Sequence, residues 1–319
     1  MESYFDGLAT YLLLKVREGT VACYMVTQLT AGEARNMFIL PTEYLAQGAA
    51  ALHLRKHLIL CTAQGEICFV NYRTRALQAK VTFSLKPPKS VVHDPANSVY
   101  LIICERKAYV VDDLTFNLKR ELSGAFELAA AGLGGKLAML GESGLTLYDL
   151  EDKSIALPLN IGEAKVEALK FSSMGLYLSA KLAEPHGVAV WMLDKSESLF
   201  TFNENQKFSD FLPLDTEAAS VIICYDEDYV KVWNVSYGRL KATLDFSRKK
   251  VAQLISLRDG RLLAVKTKRD RRVTLIDIAS GTEKTLYEGD EDVTLVKLRE
   301  QEFVLLRPGA LVFYRLPVL

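Results

Sequence analysis

Neither sign of charge is in excess in this sequence: 39 Lys and Arg stand against 39 Asp and Glu over 319 residues. That balance argues against a surface built as a whole to attract nucleic acid or membrane. Long apolar runs are missing as well. None approaches the roughly 18 to 20 residues that a membrane-spanning helix needs. Half of the residues are nevertheless hydrophobic, which excludes a disordered or solvating chain. No stretch carries a helical period. Cysteines are few: Cys23, Cys61, Cys68, Cys104 and Cys224 form an odd set with no zinc-like spacing. Each sits in or beside an apolar, strand-like run, so they read as small buried hydrophobes of a reducing compartment. The N-terminal "MESYFDGLATYLLLKV" has an acidic start and no positive n-region, unlike a signal peptide. The expectation is a soluble intracellular protein, nuclear or cytoplasmic, with no membrane partner.

What the sequence does have is a repeat. The stretch "VKVWN", ending at Asn234, is apolar, any, apolar, aromatic or apolar, then Asn or Asp. The pattern recurs as "ICFVN" to Asn71, "AYVVD" to Asp112, "LTLYD" to Asp149 and "VTLID" to Asp277. Looser copies end at Met25, Met192 and Arg315, and the eight end positions are spaced by 46, 41, 37, 43, 42, 43 and 38 residues. Two short apolar runs precede most copies and another follows, with turn signals such as Asp259-Gly260 and Ser280-Gly281 between them. Period-two alternation dominates throughout. Four short antiparallel strands per unit of about forty residues are the mark of a propeller blade.

Residues 225–244, "YDEDYVKVWNVSYGRLKATL", resemble a WD-repeat blade from its second turn to its fourth strand. The resemblance extends over nearly the whole chain as a degenerate form of that family. It implies an all-β propeller, residues 1–319 as one domain, acting as a non-catalytic scaffold for other protein subunits. Eight repeat units favour eight blades. Seven, with the last completed by "RNMFIL" from the N-terminus, is the alternative. WD repeats usually carry a Gly-His pair, and here none of His53, His57, His93 and His186 follows a glycine. The His-Ser/Thr-Asp-Trp network of the family is therefore expected to be absent, leaving apolar cross-strand pairing to hold the blades. Trp233 fills the slot of Tyr24, Val70, Val111, Tyr148, Trp191, Ile276 and Tyr314 and reads as a packing residue.

Fragments that suggest chemistry resolve into turns. "GLGGK" at 132–136 lacks the spacer and the Ser/Thr of a phosphate loop. "GESG" at 141–144 is one residue short of a nucleophile elbow. "HLRKH" at 53–57 puts two histidines in strand-rich sequence, too far apart for easy joint ligation. Asp112 and Asp113 read as ordinary rim charges. No catalytic residue, metal site or cofactor is expected.

Between Arg239 and Arg272 the chain holds twelve Lys/Arg and three Asp/Glu. Repeat phase places Lys249, Lys250, Lys268, Arg269, Arg271 and Arg272 on one face, with Arg258 and Arg261 on the other. Asp226, Glu227 and Asp228 share the first face, and so does the acidic run "EGDED" at 288–292. Two readings stay open: a patch for RNA phosphates or an acidic partner segment, and local neutralisation by these acids.

Overall fold

The computed structural model describes residues 2–5, 10–17, 20–26, 37–39, 49–71, 74, 76–124, 126–132, 135–149, 156–193, 200–202, 207–215, 219–258, 260–291, 293–299, 301–307 and 310–316. They form eight antiparallel sheets in chain order, seven of four strands and a last one of three. Sheets 1 to 8 span residues 2–39, 49–82, 90–123, 126–159, 165–202, 210–245, 251–288 and 294–315. Every copy of the repeat motif is a third strand, from Thr20–Val26 in sheet 1 to Ala310–Arg315 in sheet 8. Sheet 1 has one strand more than its sequence shows, Glu2–Phe5, paired with Thr10–Arg17. Met37–Ile39, which the seven-blade alternative lent to the last unit, is hydrogen bonded to Thr20–Val26 instead.

The chain divides into two compact units, residues 1–143 with 148–155 and residues 144–147 with 156–319. In the first unit the alternation of Val99–Ile103 shows why its run is apolar on both faces. Tyr100 and Ile102 pack towards Ile59, Cys61 and Phe69 of sheet 2, while Val99, Leu101 and Ile103 pack towards Phe126, Leu137 and Met139 of sheet 4. In the second unit Phe202, Phe211, Ile222 and Cys224 join sheets 5 and 6, and Val232, Phe246, Leu254 and Val265 join sheets 6 and 7. Each fully enclosed Leu, Ile or Phe contributes about 1.5–3 kcal/mol. Trp233 packs across a sheet boundary, its ring 5.0 Å from that of Phe202. Cys61, Cys68, Cys104 and Cys224 are buried, and burial pushes the Cys61 thiol up to about 12.

The motif's terminal Asn or Asp has a mechanical cause. Its side-chain oxygen accepts N–H groups of the turn that follows. Asn71 takes Thr74 N at 3.0 Å, Asp112 takes Leu114 N and Thr115 N at 3.0 and 2.7 Å, Asn234 takes Tyr237 N at 3.1 Å, and Asp277 takes Ala279 N and Ser280 N at 2.9 and 3.0 Å. A second regularity follows each of the first three turns. The fourth strand bulges by one residue, so that Leu77, Leu118 and Leu240 oppose Val70, Val111 and Trp233 while Gln78, Lys119 and Lys241 are left over. Bulges on an outermost strand discourage the addition of another.

Polar side chains also tie neighbouring sheets, which apolar pairing alone did not anticipate. The Tyr177 hydroxyl donates to Val221 O at 2.8 Å and accepts from Leu214 N at 3.1 Å. The Gln253 amide bonds both Leu295 O (2.7 Å) and Leu295 N (2.8 Å), acting as an extra strand residue between sheets 7 and 8.

Candidate partner-binding site

In each meander the turn between second and third strands and the connection to the next sheet share one end, here the linker end. The other two turns share the far end.

At the linker end of sheets 6 and 7 the backbone brings the predicted residues together. The linker 246–250 and the turn 268–271 lie against the acidic turn of sheet 6, with Val251 N on Glu227 O (2.7 Å), Lys268 N on Lys250 O (2.7 Å) and Arg269 N on Lys249 O (3.1 Å). Asp226 is occupied with its own turn, accepting Asp228 N and Tyr229 N at 2.7 Å each. Lys268 pairs with Glu227 and Lys250 with Asp228. Arg272 reaches Glu288 at 2.6 Å, Lys249 reaches Glu283 at 3.6 Å, and Arg271 reaches Asp290 at 3.8 Å while donating to its carbonyl at 2.6 Å. Arg269 alone of the six has no carboxylate partner among the described residues; it donates to Arg248 O at 3.4 Å. The bond to Lys268 holds the Glu227 carboxyl below the usual range. These acids neutralise the cluster from within, through exposed pairs that are individually weak.

At the far end of sheets 2 and 3 lies a polar cluster that sequence reading missed. Asp113 is no rim charge: it is 2 % exposed, and its carboxylate accepts from Lys56 at 2.8 Å and His93 Nε2 at 2.9 Å. The Tyr100 hydroxyl accepts His57 N at 3.1 Å and lies 2.7 Å from His57 Nδ1. Burial, with Lys56 nearby, lowers the His57 pKa to about 4, and burial also lowers that of His93 against the pull of Asp113. Apart from the partly exposed Lys56, the groups are enclosed, and they are mutually satisfied. They brace two sheets, and their arrangement offers a substrate no open position. His57 makes ring contacts with Phe69 and Phe116; the side chain of His53 lies outside the described residues.

The other fragments fall between strands, as expected. Gly132 N bonds Lys136 O at 2.8 Å between the first and second strands of sheet 4, and Gly141 to Gly144 joins its second and third. Among the described residues no group of His, Cys, Asp and Glu could hold a metal. A cavity of 550 Å³ in the first unit is lined by Lys89, Glu105, Arg106, Glu127 and Glu142, a charged lining unlike the apolar clefts that take small organic ligands.

Most exposed apolar side chains lie at the far ends of the sheets, while Leu85 and Tyr229, 88 and 36 % exposed, lie at the linker end. In the second unit Met174, Leu176, Tyr237 and Leu240 are 60, 51, 74 and 44 % exposed, all at the far end of sheets 5 and 6. Leu77, Leu114 and Leu118 do the same in sheets 2 and 3.

No family model and no curated protein matches this sequence. Solved structures do. The chain resembles the C-terminal WD40 domain of Sif2 with a TM-score of 0.67 and 13 % identity, covering 99 % of this chain and 95 % of that one. It resembles the β-propeller domain of Cps50 (Swd1) from Myceliophteria thermophila with a TM-score of 0.56 and 10 % identity, covering 85 % and 96 %. At such identities the likeness is one of fold, and the fold is that of WD40 β-propeller domains.

Proposed function

We propose that this chain is a non-catalytic, intracellular interaction scaffold and a subunit of a larger protein assembly. The WD40 propeller fold, which generally serves as a non-catalytic platform for other proteins, supports the broad statement. The observation that carries the finer one is the placement of exposed apolar side chains on turns fixed by hydrogen bonds. A surface of that kind suits a macromolecular partner better than a small molecule. The alternative, RNA held by the linker end of sheets 6 and 7, has less support, because five of its six cations already face carboxylates.

Native affinity purification tests the reading. A stoichiometric protein partner supports it; a monomer that co-purifies with none counts against it. RNA affinity that falls steeply with salt and is lost on reversing Lys268, Arg269, Arg271 and Arg272 would favour the alternative.

A further inference from the structure

We propose that the far end of sheets 5 and 6 docks an acidic, amphipathic segment of a protein partner, an inference that rests on the scaffold reading. Its floor is two turns. In sheet 5, Ser172 Oγ accepts Leu176 N at 2.9 Å and Tyr177 N at 3.2 Å, while the buried Asp215 of sheet 6 accepts Met174 N at 2.9 Å. In sheet 6, Asn234 accepts Tyr237 N, and Gly238 (φ +61°) lies so close to Phe200 of sheet 5 that a Cβ would stand 2.6 Å from its ring. Only glycine lets the Tyr237 turn rest on that ring. Met174, Leu176 and Tyr237 are thus held towards solvent by fixed backbone, and binding there costs little ordering. Leu240 shares its exposure with Leu77 and Leu118 and is a feature of the repeat. Tyr237 has a counterpart in Leu114 on the same turn of sheet 3, and Met174 and Leu176 set this end apart.

The charge of the partner follows from one substitution within the repeat. In sheet 3 the bulged residue Lys119 pairs with Asp112, the last residue of the third strand, at 2.8 Å. Sheet 6 has the same bulge at Lys241, but its third strand ends in Asn234. Asn234 keeps the turn cap and supplies no charge. Lys241 and its neighbour Arg239, both exposed, have no carboxylate partner among the described residues. Two cations without a carboxylate partner among the described residues, beside an apolar floor, match a segment carrying both carboxylates and apolar side chains.

The test uses the full chain and a labelled peptide of about five helical turns, with Leu and Phe along one face and Glu elsewhere. A second peptide has every Glu replaced by Lys. The acidic peptide should bind the wild type at least about tenfold more tightly than the basic one. Binding should weaken about tenfold in Tyr237→Ala, in Arg239→Glu with Lys241→Glu, and in Asn234→Asp, which keeps the cap and gives Lys241 the partner that Lys119 has. Lys268→Glu, at the linker end, should bind as the wild type does. Equal binding of both peptides, or binding indifferent to Asn234→Asp and to the Arg239/Lys241 reversal, overturns the proposal. So does self-association abolished by Tyr237→Ala, which would assign the surface to a second copy, or RNA binding lost in these variants without peptide binding. Stoichiometric partners retained by the Arg239/Lys241 reversal would overturn this docking surface and leave the scaffold reading standing.

Discussion

His93 Nε2 lies 2.9 Å from Asp113 Oδ2 with both side chains almost wholly enclosed, at 4 and 3 % exposure. The Asp113 carboxylate also holds Lys56, whose side chain is 39 % exposed. The three groups carry unequal weights. Lys56→Met leaves a buried carboxylate without its cation and, since the lysine is partly exposed, should cost about 3 kcal/mol, the lower end of the range for buried pairs. Asp113→Asn frees Lys56 to solvent and leaves a buried histidine with a weaker partner, at about 1–3 kcal/mol. Urea denaturation of the two variants checks the order.

The same region makes stability depend on pH. His57 titrates near 4 in the folded chain against an ordinary value of 6.5, because burial penalises its charged form. Between those values the unfolded chain binds a proton that the folded chain refuses. The contribution is therefore complete above pH 6.5 and is lost as pH falls towards 4, amounting to about 3 kcal/mol. His93, lowered also, acts in the same direction. Melting temperatures across this range should fall with acidity, and His57→Ala should flatten the slope.

Gln253 provides a third check. Replacing it with Ala leaves both backbone groups of Leu295, which is 2 % exposed, without the amide that satisfies them. The loss should be about 2–3 kcal/mol. Hydrogen exchange at the Leu295 amide should accelerate well beyond that in the rest of sheet 8.

For the linker end, internal neutralisation predicts that acids, and not a shortage of cations, limit any affinity for RNA. Glu227→Gln with Asp228→Asn frees Lys268 and Lys250 and should raise salt-sensitive RNA binding. Lys268→Ala should change stability by no more than about 1 kcal/mol. Filter binding and thermal melts read both effects.

The repeat was legible because its signal is local. A third strand buried on both faces needs apolar residues at fixed spacing, and the turn after it needs an Asn or Asp oxygen, as at Asn71, Asp112, Asn234 and Asp277. Lys249, Lys250, Lys268, Arg269, Arg271 and Arg272 were placed at one end of the sheets by turn phase alone, for the same reason. Their partners were less legible: Glu288 and Asp290 fall in the expected acidic run, but Glu283 does not. The Asp113 cluster could not be read, since it joins residues 57 and 20 positions away and burial is a product of packing. Lys241 was hidden too. Its place, with no carboxylate partner among the described residues, depends on a bulge that exists only once the third and fourth strands pair.

Partners held at the far end of sheets 5 and 6 should shield its turns from exchange. Hydrogen–deuterium exchange on the natively purified assembly, against the isolated chain, addresses this most directly. The account predicts new protection in residues 172–176 and 235–241. Protection confined to 247–250 and 266–272 would contradict it.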